Sequence, residues 1–222
     1  MGVRERRERE REEVRTKILD AARELFATHG YEAVTMRKVA ERIEYSPTAI
    51  YLHFADKETL LRELCETDFL SLAKQFQRIA RVEDPVERLR RIGHAYTEFA
   101  IDFPNHYRLM FMTVHPPIAH DPEKMRKGNP EEDAYAFLVA TVAEAIEKKR
   151  LLPALKDAQL VAQIVWAGVH GVVSLQMAKR NDPWIDWRPL NKTASFAIDT
   201  MIRGLQLNAG VSRSPRAPHE EA

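Results

Sequence analysis

Val34-Thr-Met-Arg-Lys-Val-Ala-Glu-Arg-Ile43 runs directly into Glu44-Tyr-Ser-Pro-Thr-Ala-Ile-Tyr-Leu-His-Phe54 and then Ala55-Asp-Lys-Glu-Thr-Leu-Leu61. Val39, Ile43 and Ile50 are spaced to meet on the inner side of two short helices, which leaves Arg37, Lys38, Thr48, Tyr51, His53 and Lys57 pointing outward. Thr35 and Ser46 are good N-caps, because a side-chain oxygen there accepts an otherwise unpaired N–H of the first turn. Pro47 falls at the first helical position, where its missing N–H costs nothing. Only Glu44, Tyr45 and Ser46 connect the helices, a length that lets the second cross the first steeply and enter a major groove. A polar, basic face on an apolar support, in that geometry, describes a DNA-binding helix-turn-helix.

These residues resemble the DNA-binding domain of TetR-family transcriptional regulators. The resemblance is carried by Ile18-Leu-Asp-Ala-Ala-Arg-Glu-Leu-Phe26 with His29-Gly30-Tyr31, then Thr35, Val39-Ala40, Ser46, Ile50-Tyr51, His53-Phe54, Lys57 and Leu60-Leu61, in order and at matching spacing over the first third of the chain. It implies an all-α homodimer whose N-terminal domains bind a palindromic double-stranded DNA operator and whose C-terminal domains bind a small-molecule effector. Carried over by position, Arg37, Pro47 and Thr48 are the base-edge candidates, while Thr35, Tyr51, His53 and Lys57 suit phosphates. Lys57 gains from a helix start, where its charge and the backbone N–H groups attract the same anion. Many members have Gly where this chain has Glu44. A left-handed non-Gly residue there costs about 1 kcal/mol and is expected to reshape the turn slightly.

Composition agrees with this reading without demanding it. The 222 residues hold 34 Lys plus Arg against 33 Asp plus Glu, so nucleic-acid affinity must come from a local face rather than from net charge. A single cysteine, Cys65, leaves no intrachain disulfide and no multi-Cys zinc site, and a cytoplasmic location is expected. The Arg/Glu-rich N-terminus is unlike a secretory signal. In Arg4-Glu-Arg-Arg-Glu-Arg-Glu-Arg-Glu-Glu13 the interleaved glutamates cancel the field of the arginines. A solvated, salt-bridged tail is therefore expected ahead of an arm reaching minor groove or phosphates.

Helical periodicity dominates the chain. The predicted helices run from about Val14 to His29, Met36 to Ile43, Pro47 to Leu52, Lys57 to Ala80, Pro85 to Phe103, Pro104 to Met112, Glu131 to Arg150, Asp157 to Arg180, and up to about Leu207. Thr113 to Pro130 holds four prolines and a glycine, which precludes continuous helix and predicts a long loop. The expected organisation is an arm over 1–13, a helix-turn-helix domain over 14–62, a ligand-binding and dimerisation domain over 63–207, and a disordered tail over 208–222. Ala158 to Ala178 carries no charge and is about long enough to span a bilayer. Its scattered glutamines, His170 and Ser174, with Asp157, Lys179 and Arg180 close by, favour instead a helix packed on its own domain and on a second subunit.

A second resemblance, to a TetR subgroup with a Trp-x-x-x-His-Gly helix in its C-terminal domain, lies in Val165-Trp166-Ala-Gly-Val-His170-Gly171 together with Tyr107-Arg-Leu-Met-Phe111. Trp166 and His170 are one turn apart and can line a cavity together; a core histidine satisfied by one hydrogen bond is the equal alternative for His170. Tyr96, Phe99, Tyr107, Met110, Phe111 and Phe137 supply the aromatic, Met-containing remainder, of which only some are expected to touch an effector. Gly168 and Gly171 permit a close helix approach. With Ile164, Leu175, Phe196 and Ile198 they are the expected dimer contacts, in a four-helix interface.

Catalytic and metal readings find little support. There is no Gly-rich phosphate loop, Gly-x-Ser-x-Gly elbow or His-Glu-x-x-His, and the Glu131-Glu132 pair falls at a helix start. His94 stands one turn before Glu98, and His115 and His120 flank prolines, but nothing supplies a third metal ligand at fixed spacing. No cofactor or membrane partner is expected. The reading is an effector-released repressor. Its competitor is a small-molecule-binding protein whose helix-turn-helix has lost specific DNA affinity, for which Glu44 is the one hint.

Overall fold

The computed structural model describes residues 2–118, 123 and 125–206. Its helices are α1 (Val3–His29), α2 (Met36–Arg42), α3 (Pro47–Tyr51), α4 (Lys57–Gln77), α5 (Pro85–Asp102), α6 (Pro104–Phe111), α7 (Ala134–Glu147), α8 (Ala158–Lys179) and α9 (Leu190–Leu205). Among the described residues, strand-like pairing is confined to an isolated bridge between Leu151 and Gln206. The fold is all-α.

Local chemistry sets most helix starts. The side chains of Thr35, Ser46, Asp56, Asp84, Asp133 and Asp157 each accept a backbone N–H from the first turn that follows. Four expected boundaries move by three residues or more, among them the end of α4, which stops at Gln77 rather than at about Ala80. α1 begins at Val3 rather than Val14, so the charged run is helix, stitched by Arg4–Glu8 and Arg6–Glu10 pairs. α7 begins at Ala134 because Asp133 is its cap, and Glu131 and Glu132 fall in the preceding turn. It stops at Glu147, with Lys149 left-handed at φ 53° and the Arg150 N–H bonded to the Ala145 carbonyl. Leu207, His120 and the expected disordered tail lie outside the described residues.

Glu44 takes the left-handed conformation, at φ 60°. The Tyr45 N–H donates to the Ala40 carbonyl at 3.0 Å and the Glu44 N–H to the Glu41 carbonyl at 3.3 Å, so the turn closes with the hydrogen bonds a glycine would give it. The cost of a side chain there is met without loss of the turn.

Two cores form, and α4 runs through both. Ile18, Ala22 and Phe26 of α1 pack with Val34, Val39, Ala40, Ile50 and Phe54 against Leu60, Leu61, Leu64 and Cys65 at the start of α4. Leu72, Ala73 and Phe76, at its other end, pack with α5, α7 and α8. Between the two sets lies Asp68, which is buried and receives Arg23 of α1 in a fork, Nε to Oδ2 at 3.0 Å and Nη2 to Oδ1 at 2.9 Å. The His106 ring of α6 approaches the same carboxylate at 3.8 Å. On α6 itself, Leu109 enters the first core and its neighbour Met110 the second.

Ala158–Lys179 is, among the described residues, the helix long and apolar enough to cross a membrane. Val161, Ala162, Val165, Val169 and Val173 pack one side of it into the larger core. Its opposite side is uncovered.

Asp68→Ala leaves the buried Arg23 guanidinium with Asp20, bonded to its Nη1 at 2.8 Å, in place of the fork, and should destabilise the protein by about 3 kcal/mol in denaturant unfolding. A loss under 1 kcal/mol would show that the fork holds nothing together.

Candidate functional site

The N-terminal face is built by the caps just described. Thr35, Arg37, Pro47, Thr48 and Tyr51 are exposed on α2 and α3, with Val39 and Ile50 buried beneath them. Arg37 is held by Glu41 of its own helix at 2.9 Å, an exposed pair that a base or phosphate can displace at small cost. Tyr45, in the turn, joins this surface half-exposed and was not among the expected contacts. The signal was its position beside the Ser46 cap. His53 is partly covered, and burial first, then the charges of Arg11 and Arg15, push its imidazole below its ordinary value.

Lys57 is placed differently from expectation. Its ammonium donates to the carbonyls of Tyr31 and Val34, both at 3.0 Å, and lies 3.9 Å over the Tyr31 ring. Two donors and the cation–π contact point into the protein, so Lys57 fastens the α1–α2 loop to α4. Helix-start position alone suggested an anion site, but carbonyls brought by the fold took the charge first.

In the larger domain a cavity opens between α4, α5, α6, α7 and α8. Phe69, Leu72 and Phe76 of α4 line one wall, Ile92, Gly93 and Tyr96 of α5 and Met110 and Phe111 of α6 another, and Ala134, Tyr135, Leu138, Val165, Trp166 and Val169 a third, with Ile118 and Met125 also lining it. Polar groups gather at one end, where Lys127, Glu132 and Asp133 border it. Arg126 grips Glu132 through its Nε and Nη2, drawing that carboxyl down to about 2. The wall from α4 was missed because that helix read as a linker, although Phe69, Leu72 and Phe76 recur at i, i+3, i+7.

Of the eight expected lining residues, Tyr96, Met110, Phe111 and Trp166 reach the cavity. Phe99 is sealed in core beside Phe103 and His106, and Phe137 packs on Phe76. Tyr107 and His170 sit behind the wall rather than on it. The His170 Nδ1 lies 2.7 Å from the Tyr107 hydroxyl and 2.9 Å from that of Tyr96, with 3.4 Å between the two hydroxyls. Burial pushes the Tyr96 phenol up to about 12, opposed by hydrogen bonds from Tyr107 and Trp166; burial also lowers the His170 imidazole. Tyr107, wholly buried, is raised further by the same cause. The motif therefore builds a neutral polar knot backing the cavity, through which Tyr96 and Trp166 face in.

The expected self-association residues divide as well. Leu160, Ile164, Gly171 and Leu175 form an exposed, uncharged stripe along α8, with Phe196 exposed on α9. Ile198 is 2% exposed and belongs to its own core, packed against Gly93. Gly168 is also internal: a Cβ there would run into Met201 of α9, whereas one on Gly171 would meet open space. Among the described residues no group of three or more His, Cys, Asp and Glu comes together to hold a metal. Cys65 is buried, its thiol pushed up to about 12 by that burial.

Comparison with known proteins decides the kinship. Residues 18–64 match the family described as "Bacterial regulatory proteins, tetR family", and residues 89–201 match the "Tetracyclin repressor-like, C-terminal domain". The chain belongs to the TetR family. The C-terminal match does not name the Trp-x-x-x-His-Gly subgroup that residues 165–171 resemble. TetR relatives include the HTH-type transcriptional repressor AcnR of Corynebacterium diphtheriae, 43% identical over 60 residues, 27% of this chain and 32% of that protein. The HTH-type transcriptional regulator UidR of Escherichia coli is 31% identical over 85 residues, 38% of this chain and 40% of that one. The chain thus covers two fifths or less of these relatives. A solved structure from Rhodococcus sp. RHA1, of unknown function, overlays with TM-score 0.66 at 25% identity, over 87% of this chain and 95% of that one. FadR from Bacillus subtilis, in complex with stearoyl-CoA, shares the TetR fold with TM-score 0.68 at 17% identity, over 86% and 99%.

Two outcomes follow from these placements. Lys57→Met should cost about 1–3 kcal/mol of stability, the size of lost charge-assisted hydrogen bonds, in denaturant unfolding. A variant of unchanged stability would free Lys57 for another role. The second outcome concerns pH. Because folded His170 resists protonation while the unfolded chain protonates at the ordinary value near 6.5, its contribution is present above that pH and is lost progressively as pH falls from there through the lowered folded value. His53 and His106, also lowered mainly by burial, act in the same direction. The thermal midpoint should drop from pH 7.5 to 5.5, and drop less in His170→Asn; parallel pH curves would contradict this.

Proposed function

We propose that the chain is a cytoplasmic transcriptional repressor that holds a palindromic operator as a homodimer and releases it when a small, mostly apolar molecule fills the cavity behind α4. The observation that carries this is α6, which puts Leu109 in the core beneath the helix-turn-helix while Met110 and Phe111 border the cavity. An occupant pressing on Met110 moves a residue whose neighbour is packed solidly into the DNA-binding domain. Close-packed interiors transmit such displacement rather than absorb it. Bound DNA and bound effector would then favour different separations of the two helix-turn-helix units, and each shifts the population its own way.

Arg37, Pro47 and Thr48 would read base edges, with Thr35, Tyr45 and Tyr51 at phosphates. The uncovered apolar stripe of α8, with Phe196, would pair with its copy about a two-fold axis, where Gly171 lets the helices approach. Tyr96 and Trp166 would orient the one or two polar atoms of the effector, and Ile118, Met125 and Lys127, which line the cavity, would border its entrance.

Selection from a random-sequence duplex pool by the full-length protein should recover an inverted repeat. Arg37→Ala should then lose about 1–3 kcal/mol and relax one base position in each half-site. A compound from a lipophilic library that releases the DNA should quench Trp166 fluorescence, and Trp166→Phe should lose that signal while still binding DNA. A pool that yields no common sequence would end the repressor reading.

A further inference from the structure

α1 is 27 residues long, yet its first fully buried residue is Ile18. Residues 4–13 stand clear of the domain, all exposed, as continuous helix. Wound at 3.6 residues per turn, the Arg and Glu of this run are sorted in space. Arg4, Arg7, Arg11 and Arg15 fall within about 80° of one another, on the line that continues into Ile18. Glu5, Glu10, Glu12 and Glu13 turn to the flanks and back together with Arg6 and Arg9, Arg6 pairing there with Glu10 at 3.3 Å. Glu8, at the edge of the stripe, is occupied by Arg4 at 3.1 Å, and among the described residues neither Arg7 nor Arg11 is in an ion pair. The cancelled field expected from the one-dimensional pattern is a polarised helix.

The inner end of the stripe is anchored beside the DNA-reading helix. Arg15 bonds Glu63 at 2.7 Å and lies 4.6 Å over the Phe54 ring. The adjoining residue, His53, just past the end of α3, feels the positive charge of both Arg15 and Arg11. From there the stripe leads outward, and Arg11 to Arg4 rises about 10 Å, some three base-pair steps of about 3.4 Å. We propose that Arg4, Arg7 and Arg11 form a phosphate-binding stripe for the duplex that flanks the half-site contacted by α3. Guanidinium forks suit phosphate oxygens at any sequence, so the stripe adds affinity and length to the site without adding base preference. The glutamates behind it keep the net charge near zero, so the contact is made only where α3 has already set the register. The inference rests on the DNA-binding reading above.

The test uses full-length protein and the inverted repeat it selects, in a duplex with about ten base pairs of flank on each side and in one trimmed to the repeat. Wild type should bind the long duplex at least about tenfold tighter than the trimmed one. The R4Q/R7Q/R11Q variant should bind both alike, with its log K against log salt shallower by about 5 on the long duplex, for six phosphates at about 0.9 each. R4K/R7K/R11K should recover most of the difference. Gln, Lys and Arg have similar helix propensities, so circular dichroism should show α1 intact in both variants. Equal binding of wild type to the two duplexes, or an unchanged salt slope in the Gln variant, overturns the stripe and leaves the repressor reading standing. A wild type that selects no DNA overturns both.

Discussion

The Arg23–Asp68 fork sits on α4 between the residues that belong to the two cores, and it ties α1 to that helix. Beside it on α4, Phe69 packs against both cores, so apolar contact and the fork together hold this level of the helix. A carboxylate buried there is tolerable only because a planar guanidinium from α1 satisfies both its oxygens in one fixed orientation. That orientation sets the roll of α1 on α4. With the roll set, Leu109 of α6 has a defined socket in the smaller core. A salt bridge of this kind contributes less through net energy than through geometry, because nearly any displacement of α4 against α1 breaks both hydrogen bonds together.

The polar knot behind the cavity works by the same logic with neutral groups. In the tautomer that leaves His170 Nδ1 unprotonated, its single lone pair can take the Tyr107 hydroxyl at 2.7 Å while the Tyr96 hydroxyl turns to that of Tyr107 at 3.4 Å. These bonds join α5, α6 and α8 behind the cavity wall.

The helix-turn-helix was legible because its signals are local: two caps, a proline at the first helical position and three residues of turn. What could not be read depends on angle or on distant partners. Phe196 and Ile198 are two positions apart and about 200° apart around α9, so an apolar helix did not reveal which faced a partner and which the core. Gly168 and Gly171 were equivalent as small residues until α9 was placed across one of them. Lys57 read as an anion site because the carbonyls of Tyr31 and Val34 approach it only after folding. The Arg–Glu run looked neutral because alternation along a chain is not alternation around a helix. Of the cavity, the Trp166 and Phe111 contributions followed from motif spacing, while the α4 wall followed only from seeing that helix belong to both domains.

That double membership bears on modularity. Regulators of this architecture invite recombination, a DNA-reading head from one parent joined to an effector domain from another, and the visible seam lies where α4 leaves the head. The physical seam is elsewhere. Arg23 comes from α1, Asp68 from the middle of α4, and Leu109 from α6, far along the chain in the other domain. A functional chimera must therefore inherit these three positions from one parent, or transplant Leu109 and its socket together with the head.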